Sequence, residues 1–168
     1  GTLDIKTGDN DQFAMTIDGV STMVTLPERI YTADSLAAML QSSINGASEL
    51  SSKDISVSVS AVGGKLSITS NRYGSASTIL AGGNGSPNVF GAVAPVAGVD
   101  VAGTLDGLAT TGSGQTLTGA RGTPIEGLKL TVTGGATGSR GTVSFAHGFA
   151  QRLSDMVGEF TAGKGLIA

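Results

Sequence analysis

Residues 32–68 read TADSLAAMLQSSINGASELSSKDISVSVSAVGGKLSI, and the hydrophobic period changes within this stretch. In its first part, Leu36, Leu40 and Ile44 recur every four residues, which is the spacing of one helix face, and Ala47 extends that face. Thr32 is suited to cap the N-terminus, and Asp34 lies favourably in the first turn. We therefore predict a helix from Thr32 that ends at the stop signal Asn45-Gly46.

The second part of the stretch has the period of a strand. From Ile55 to Ala61, apolar residues alternate with serines, and after Gly63-Gly64 the alternation resumes at Leu66 and Ile68. Two alternating runs around a glycine turn indicate a β-hairpin. Its apolar face is available to cover the helix.

The residues upstream of the helix also alternate. Thr2–Ile5 is a candidate strand, and Phe13, Met15 and Ile17 share one face. An Asp18-Gly19 pair follows, which suits a type I′ hairpin turn because both turn positions require positive φ. The next run, with apolar residues at 20, 23 and 26, has imperfect parity that leaves room for a bulge, and Pro27 ends it. Residues 1–91 thus predict a ββαββ unit, an antiparallel sheet with one packed helix.

The composition changes after residue 91, where glycine, alanine, valine and threonine dominate. We interpret 82–87 as a loop and place a boundary near 91, followed by an all-β domain over 92–146. Asp106-Gly107 predicts another hairpin turn. Short strands are expected around Val99, Val101, Leu117, 128–132 and 142–145.

Residues 147–168 predict a C-terminal helix. Its apolar residues form one stripe on a helix face. The members of this stripe are Phe149, Leu153, Met156 and Phe160, with Val157 beside them. Two interpretations stay open: the helix continues into a helical bundle of a longer protein, or its stripe packs on the second sheet. The overall fold class is α+β and mainly β.

Composition excludes several classes of function. The 168 residues include 27 glycines but only 14% charged and 4% aromatic residues, and the net charge of -3 gives no electrostatic footprint for nucleic acid. There is no cysteine, hence no disulfide and no thiolate chemistry. No apolar run is long enough to cross a membrane, so we expect no membrane insertion. The opening has neither a signal peptide nor an initiating methionine, and we expect the chain to be a piece of a longer protein.

No motif carries catalytic chemistry. His147 has no partner at triad spacing, and Asp9-Asn10-Asp11 lacks the glycine and the glutamate of a calcium loop. The glycine clusters lack the lysine of a phosphate loop. Five further aspartates at strand edges and turns are interpreted as solvated turn residues: Asp4, Asp18, Asp54, Asp100 and Asp106. We expect no enzyme activity, no cofactor and no metal.

Several stretches carry a family resemblance. Residues 98–107 (GVDVAGTLDG) and 112–119 (GSGQTLTG) resemble the bacterial flagellar filament-cap family, also called hook-associated protein 2. Residues 126–132 (EGLKLTV), 141–145 (GTVSF) and the ending 160–168 are similar to the same family. The helix that ends in Ile44-Asn45 resembles the hook IN motif shared by flagellins and hook-associated proteins.

This resemblance implies a structural function. Family members carry two β-rich head domains on a helical coiled-coil leg, so the chain would comprise both heads and the start of the leg helix. They form a homo-oligomeric ring at the extracellular tip of the flagellum, where they promote flagellin folding and insertion. The implied partners are flagellin and hook–filament junction proteins. Export through the flagellar channel would account for the missing cysteine and signal peptide.

Two other functions remain open. The first is an adhesin that binds host mucin or other glycans through loops around Asn71, Arg72 and Tyr73 and over 82–87. The second is a hook–filament junction protein or a flagellin insert, since both share the IN motif.

Overall fold

The computed structural model describes residues 1–63, 65–91, 95–146 and 148–161. The strands are β1 (Thr2–Ile5), β2 (Gln12–Ile17), β3 (Val20–Thr25), β4 (Arg29–Thr32), β5 (Val57–Val62), β6 (Lys65–Ser70), β7 (Ile79–Gly82), β8 (Thr104–Leu105), β9 (Leu108–Ser113), β10 (Thr116–Gly119) and β11 (Lys129–Thr131). The helices are α1 (Ala33–Asn45), α2 (Ser48–Ser51), α3 (Ser86–Phe90) and α4 (Phe149–Glu159).

The described strands pair antiparallel in four sheets. Two are two-stranded, β1-β4 and β5-β6; the third has the order β3-β2-β7, and the fourth has the order β11-β10-β9-β8. The first three sheets belong to the N-terminal region (residues 1–91), and the fourth belongs to the C-terminal region (residues after 94). The mixed, mainly β fold class predicted from the sequence is confirmed.

The β2–β3 hairpin is built on the predicted Asp-Gly turn. Asp18 and Gly19 have φ of 51° and 81°, the positive values that a type I′ turn requires. The pairing runs without interruption from Ile17↔Val20 to Gln12↔Thr25, so β3 contains no bulge.

Helix α1 begins with a reciprocal capping box. The Thr32 hydroxyl accepts from the Ser35 amide at 3.2 Å, and the Thr32 amide donates to the Ser35 hydroxyl at 2.9 Å. Both helix-terminal donors are thereby satisfied. Leu36, Leu40 and Ile44 are buried, and the helix ends at Asn45, as predicted.

The β5–β6 hairpin covers this helix. Val57 is buried against α1, with Val59, Leu66 and Ile68 packed beside it. Side chains at the edge of α1 extend the contact: Asn45 Oδ1 accepts from the Val57 amide at 2.8 Å, and its Nδ2 donates to the Val57 carbonyl at 3.0 Å. The predicted helix-on-hairpin layer is confirmed.

The ββαββ order is incomplete, because β4 and β7 were not predicted. β4 pairs with β1, and β7 pairs with the free side of β2. Each has four residues, too few for a clear alternation. The expected loop over 82–87 is also wrong at both ends, since Gly82 closes β7 while Ser86 and Pro87 open α3. Proline fits there because the first helical turn does not need its amide.

In the C-terminal region, the predicted Asp106-Gly107 turn is confirmed, because φ is 54° at Asp106 and 74° at Gly107. The strands expected at Val99, Val101 and 142–145 are wrong, because these residues lie outside the described strands. Val99 and Val143 are exposed, so alternation there does not correspond to a buried face. The predicted domain boundary near 91 borders residues 92–94, which lie outside the described residues. His147 also lies outside them.

Candidate functional site

The predicted interaction residues Asn71, Arg72 and Tyr73 directly follow β6. Asn71 is engaged with the strand beside it: its Nδ2 donates to the Ser56 hydroxyl at 2.8 Å, and its Oδ1 accepts from the Ser58 hydroxyl at 3.2 Å. These bonds attach the loop to its neighbouring segment. The Asn71 side chain is therefore occupied within the fold.

Arg72 is also used within the fold. Its Nε lies 4.0 Å from Asp18 Oδ2, and its Nη2 donates to the Lys53 carbonyl at 3.4 Å. The Asp18 side chain is almost completely buried, which corrects the expectation of a solvated turn aspartate. It also accepts from the Ser70 hydroxyl at 2.8 Å and from the Thr78 amide at 3.0 Å.

Tyr73 differs from its two neighbours. Its side chain is 66% exposed, and no hydrogen bond links its hydroxyl to the part of the chain that the structure describes. An exposed tyrosine offers an apolar ring and a polar tip for contact with a partner. Of the three predicted loop residues, it is the one whose side chain is available for binding.

The other expected loop is a tight turn on β2. Asn84 Oδ1 accepts from the Gln12 amide at 2.8 Å, and the Gly85 amide donates to the Gln12 carbonyl at 3.0 Å. Gly83 has a φ of 90°, and a Cβ there would lie 2.9 Å from the Ala14 amide nitrogen. Residues 82–87 are therefore committed to backbone packing.

The predicted apolar stripe lies on α4 and its end. No residue of α4 is buried. The exposed fractions of the stripe residues range from 48% to 81%: Phe149 81%, Leu153 48%, Met156 55% and Phe160 56%. Large side chains in a row with this exposure form an apolar surface.

The opposite side of α4 is polar and lies beside the turn from Gly122 to Gly127. Gln151 and Asp155 line a groove of about 600 Å³ together with residues of the turn from Gly122 to Gly127. Gln151 Nε2 donates to Asp155 Oδ1 at 2.8 Å, one helical turn away. The stripe therefore does not pack on the second sheet within the described residues, and that interpretation is wrong.

A second apolar surface was not predicted. The outer face of the β3-β2-β7 sheet carries a groove of about 570 Å³, with small residues such as Ala14 and Thr16 on its central strand. Met23 and Leu80 are 62% and 54% exposed on the flanking strands. The sequence contained a signal for this surface. Met23 and Val24 are neighbours in β3, so their side chains lie on opposite faces of the sheet, and Val24 is the buried one. β7 had to be recognised before Leu80 could be placed beside it.

The acidic side chains in the described part of the chain lie apart from one another or are used in turns. Among the described residues, no group of three or more histidine or acidic side chains could hold a metal ion. Asn10 and Asp11 are buried within their own turn, where Asn10 Oδ1 accepts from the Lys6 amide at 2.7 Å and Asp11 Oδ1 accepts from the Gly8 amide at 3.0 Å. Their oxygens are thus used to shape the chain between β1 and β2.

Hydrogen bonds lower the pKa of the Asp100 side chain. The Ser75 hydroxyl, the Gly114 amide and the Ser75 amide all donate to its carboxylate and lower the pKa of Asp100, while partial desolvation opposes them. Hydrogen bonds to the charged form explain this direction. The donors are one serine hydroxyl and two backbone amides, so the shift has its origin in contacts that hold the chain together.

Comparisons with protein-family models, curated proteins and solved structures gave no match. Across the parts of the chain that the structure describes, every helix is too short or too polar to cross a membrane.

Proposed function

We propose that this chain is the head region of a structural assembly protein that caps a bacterial flagellar filament, and that it is not an enzyme. The resemblance of residues 98–119 and 126–132 to the cap family supports the family. The exposed stripe on α4 is the observation that carries the proposal. Its members, Phe149, Leu153, Met156 and Phe160, are spaced by four, three and four residues, which is the spacing of a coiled-coil seam.

An assembly function gives this stripe a partner. A soluble helix that turns its polar side inward and its apolar side outward exposes hydrophobic surface to water, which is unfavourable until a second surface covers it. A leg helix in the longer protein would provide that surface. The heads would then form a homo-oligomer at the extracellular filament tip and contact flagellin and hook–filament junction proteins.

The test is deletion of the parent gene in its flagellated host. We expect monomeric flagellin in the medium, short or absent filaments and loss of swimming. Filaments of normal length and normal swimming in the deletion strain would contradict the proposal.

Complementation then tests the stripe. The wild-type gene and a Ser154→Glu variant should restore filaments, whereas a Leu153→Glu variant should not. Both substitutions add the same charge to exposed positions of α4, but only Leu153 belongs to the stripe. Full restoration by Leu153→Glu would show that the stripe has no assembly role.

One observation favours a second function. The exposed ring of Tyr73 could contact a glycan in an adhesin, although Asn71 and Arg72 are occupied within the fold. Saturable binding to mucin glycans that is lost on Tyr73→Ala would support this function. The hook–filament junction protein and the flagellin insert share only the IN motif, and residues 98–119 argue against both.

A further inference from the structure

Residues 70–78 of the N-terminal region, which we call the joint segment, form hydrogen bonds to the C-terminal region. Its two ends are fixed to the N-terminal region by Asp18. This buried carboxylate accepts from the Ser70 hydroxyl and from the Thr78 amide, at 2.8 Å and 3.0 Å. The joint segment is therefore anchored on one side, and its middle is left to contact the C-terminal region.

Asp100 contacts that middle. Its Oδ2 accepts from the Ser75 hydroxyl at 2.6 Å, and its Oδ1 accepts from the Ser75 amide at 3.1 Å. The same Oδ1 accepts from the Gly114 amide at 2.7 Å, in the turn between β9 and β10. One carboxylate thus joins the joint segment, the chain before β8 and the β9–β10 turn.

Glycines allow these three backbones to approach so closely. Gly74 has a φ of 95°, and a Cβ at this position would lie 2.6 Å from the Gly114 Cα and would also collide with the Asp100 carboxylate. A Cβ at Gly98 would collide with the Gly74 carbonyl, while the Gly98 amide donates to the Ser77 carbonyl at 3.0 Å. The contact is small, polar and made of backbone and hydroxyl groups.

The residues that make these hydrogen bonds, Ser75, Gly98, Asp100 and Gly114, carry no apolar side chain. Small polar interfaces between parts of a chain ordinarily permit relative motion. Here the hydrogen bonds to Asp100 oppose that motion, and each is strengthened by the carboxylate charge. Loss of the charge would weaken all three hydrogen bonds together.

We infer that Asp100 is a clasp that fixes the orientation of the C-terminal region relative to the N-terminal region, and that removal of its charge converts a fixed joint into a flexible one. This inference is independent of the proposed function, because it concerns the joint itself. In an assembly, a fixed joint would keep the C-terminal region in one orientation relative to the N-terminal region.

The pH dependence follows from the same contacts. No ion pair involves Asp100 within the described residues, and Arg72 of the joint segment pairs with Asp18 instead. Because its hydrogen bonds lower the pKa of Asp100, the clasp is fully present above the ordinary value of 3.8. It is lost as the pH falls through the lowered value.

The absence of cysteine allows a direct test. Ser60→Cys on β5 and Ala109→Cys on β9 place one label on an exposed position of each region, and the distance between the labels is followed by fluorescence energy transfer. The background protein should give one narrow distribution at pH 7. Asp100→Asn should widen it, because the amide keeps one acceptor oxygen but loses the charge that strengthens all three hydrogen bonds.

Matched variants complete the design. Asp106→Asn, an exposed aspartate of the same region, should keep the narrow distribution, and Ser75→Ala should widen it less than Asp100→Asn because two backbone donors remain. Amide exchange of α1 monitors the fold throughout. An unchanged distribution in Asp100→Asn would overturn the clasp, as would equal widening in Asp106→Asn or loss of α1 protection in Asp100→Asn.

Discussion

The N-terminal and C-terminal regions of this chain are stabilised by different means. In the N-terminal region, α1 and the surrounding sheets enclose a continuous core whose members lie between residues 5 and 57: Ile5, Phe13, Met15, Ile17, Val24, Leu26, Tyr31, Leu36, Leu40, Ile44, Leu50, Ile55 and Val57. In the described part of the C-terminal region, only Leu117 and Ile125 are buried apolar residues.

The C-terminal sheet substitutes close backbone contact for side-chain burial. Gly112 and Gly119 lie so near to the Val101 and Ile125 carbonyls that a Cβ at either glycine would collide with them. Since hydrophobic stabilisation scales with buried apolar area, the two regions should differ greatly in their resistance to unfolding. The C-terminal region should therefore depend on neighbours, including the clasp at Asp100, for its order.

The sharpest way to test this difference is a matched pair of leucine substitutions. Leu40→Ala in α1 should reduce the free energy of unfolding by about 2–5 kcal/mol, because its fully buried side chain leaves a cavity in the large core. Leu117→Ala in β10 should leave the urea transition of the N-terminal region unchanged and should lower protection only in the C-terminal sheet. Urea unfolding and residue-resolved amide exchange measure the two effects.

The control for this pair is Val99→Ala. Val99 is exposed, so its substitution should change the free energy of unfolding by no more than about 0.5 kcal/mol. If Leu117→Ala destabilised α1 as strongly as Leu40→Ala does, the two regions would form one cooperative unit, and the comparison would fail.

The same difference explains which elements could be predicted from the sequence. Leu36, Leu40 and Ile44 mark α1 because a large core selects apolar residues at the helix period, and Phe13, Met15 and Ile17 mark β2 for the same reason. The hairpin turns at Asp18 and Asp106 were predictable because positive φ restricts the residues that fit. Sequence patterns therefore worked wherever burial or backbone geometry constrains the residue type.

The remaining features depend on contacts between distant residues. β7 becomes a strand because β2 offers a free edge, and its own four residues, ILAG, do not indicate this. The residues 142–145 alternate in sequence, but they lie outside the described strands, and Val143 is exposed. The contacts of Asp100 with Ser75 and Gly114 join separate segments and leave no local pattern. The α4 stripe was predictable, but its outward orientation required the position of Gln151 and Asp155.

A smaller effect separates the two regions at their Asp-Gly turns. Asp18 and Asp106 begin equivalent turns with φ of 51° and 54°, and asparagine tolerates this conformation as well as aspartate does. Asp18→Asn should nevertheless cost about 1–2 kcal/mol, because its buried carboxylate loses the charge that holds the Ser70 hydroxyl.

Asp106→Asn should be neutral within about 0.5 kcal/mol, since Asp106 is exposed and the substitution retains the turn conformation. Thermal unfolding of both variants measures the difference, and their shared turn geometry cancels any effect of backbone strain. Equal losses would mean that the turn itself, and not the buried hydrogen bonds of Asp18, determines the stability at these positions. A loss confined to Asp18→Asn would locate the stabilisation at the base of the joint segment, where the N-terminal core holds the chain that Asp100 then contacts.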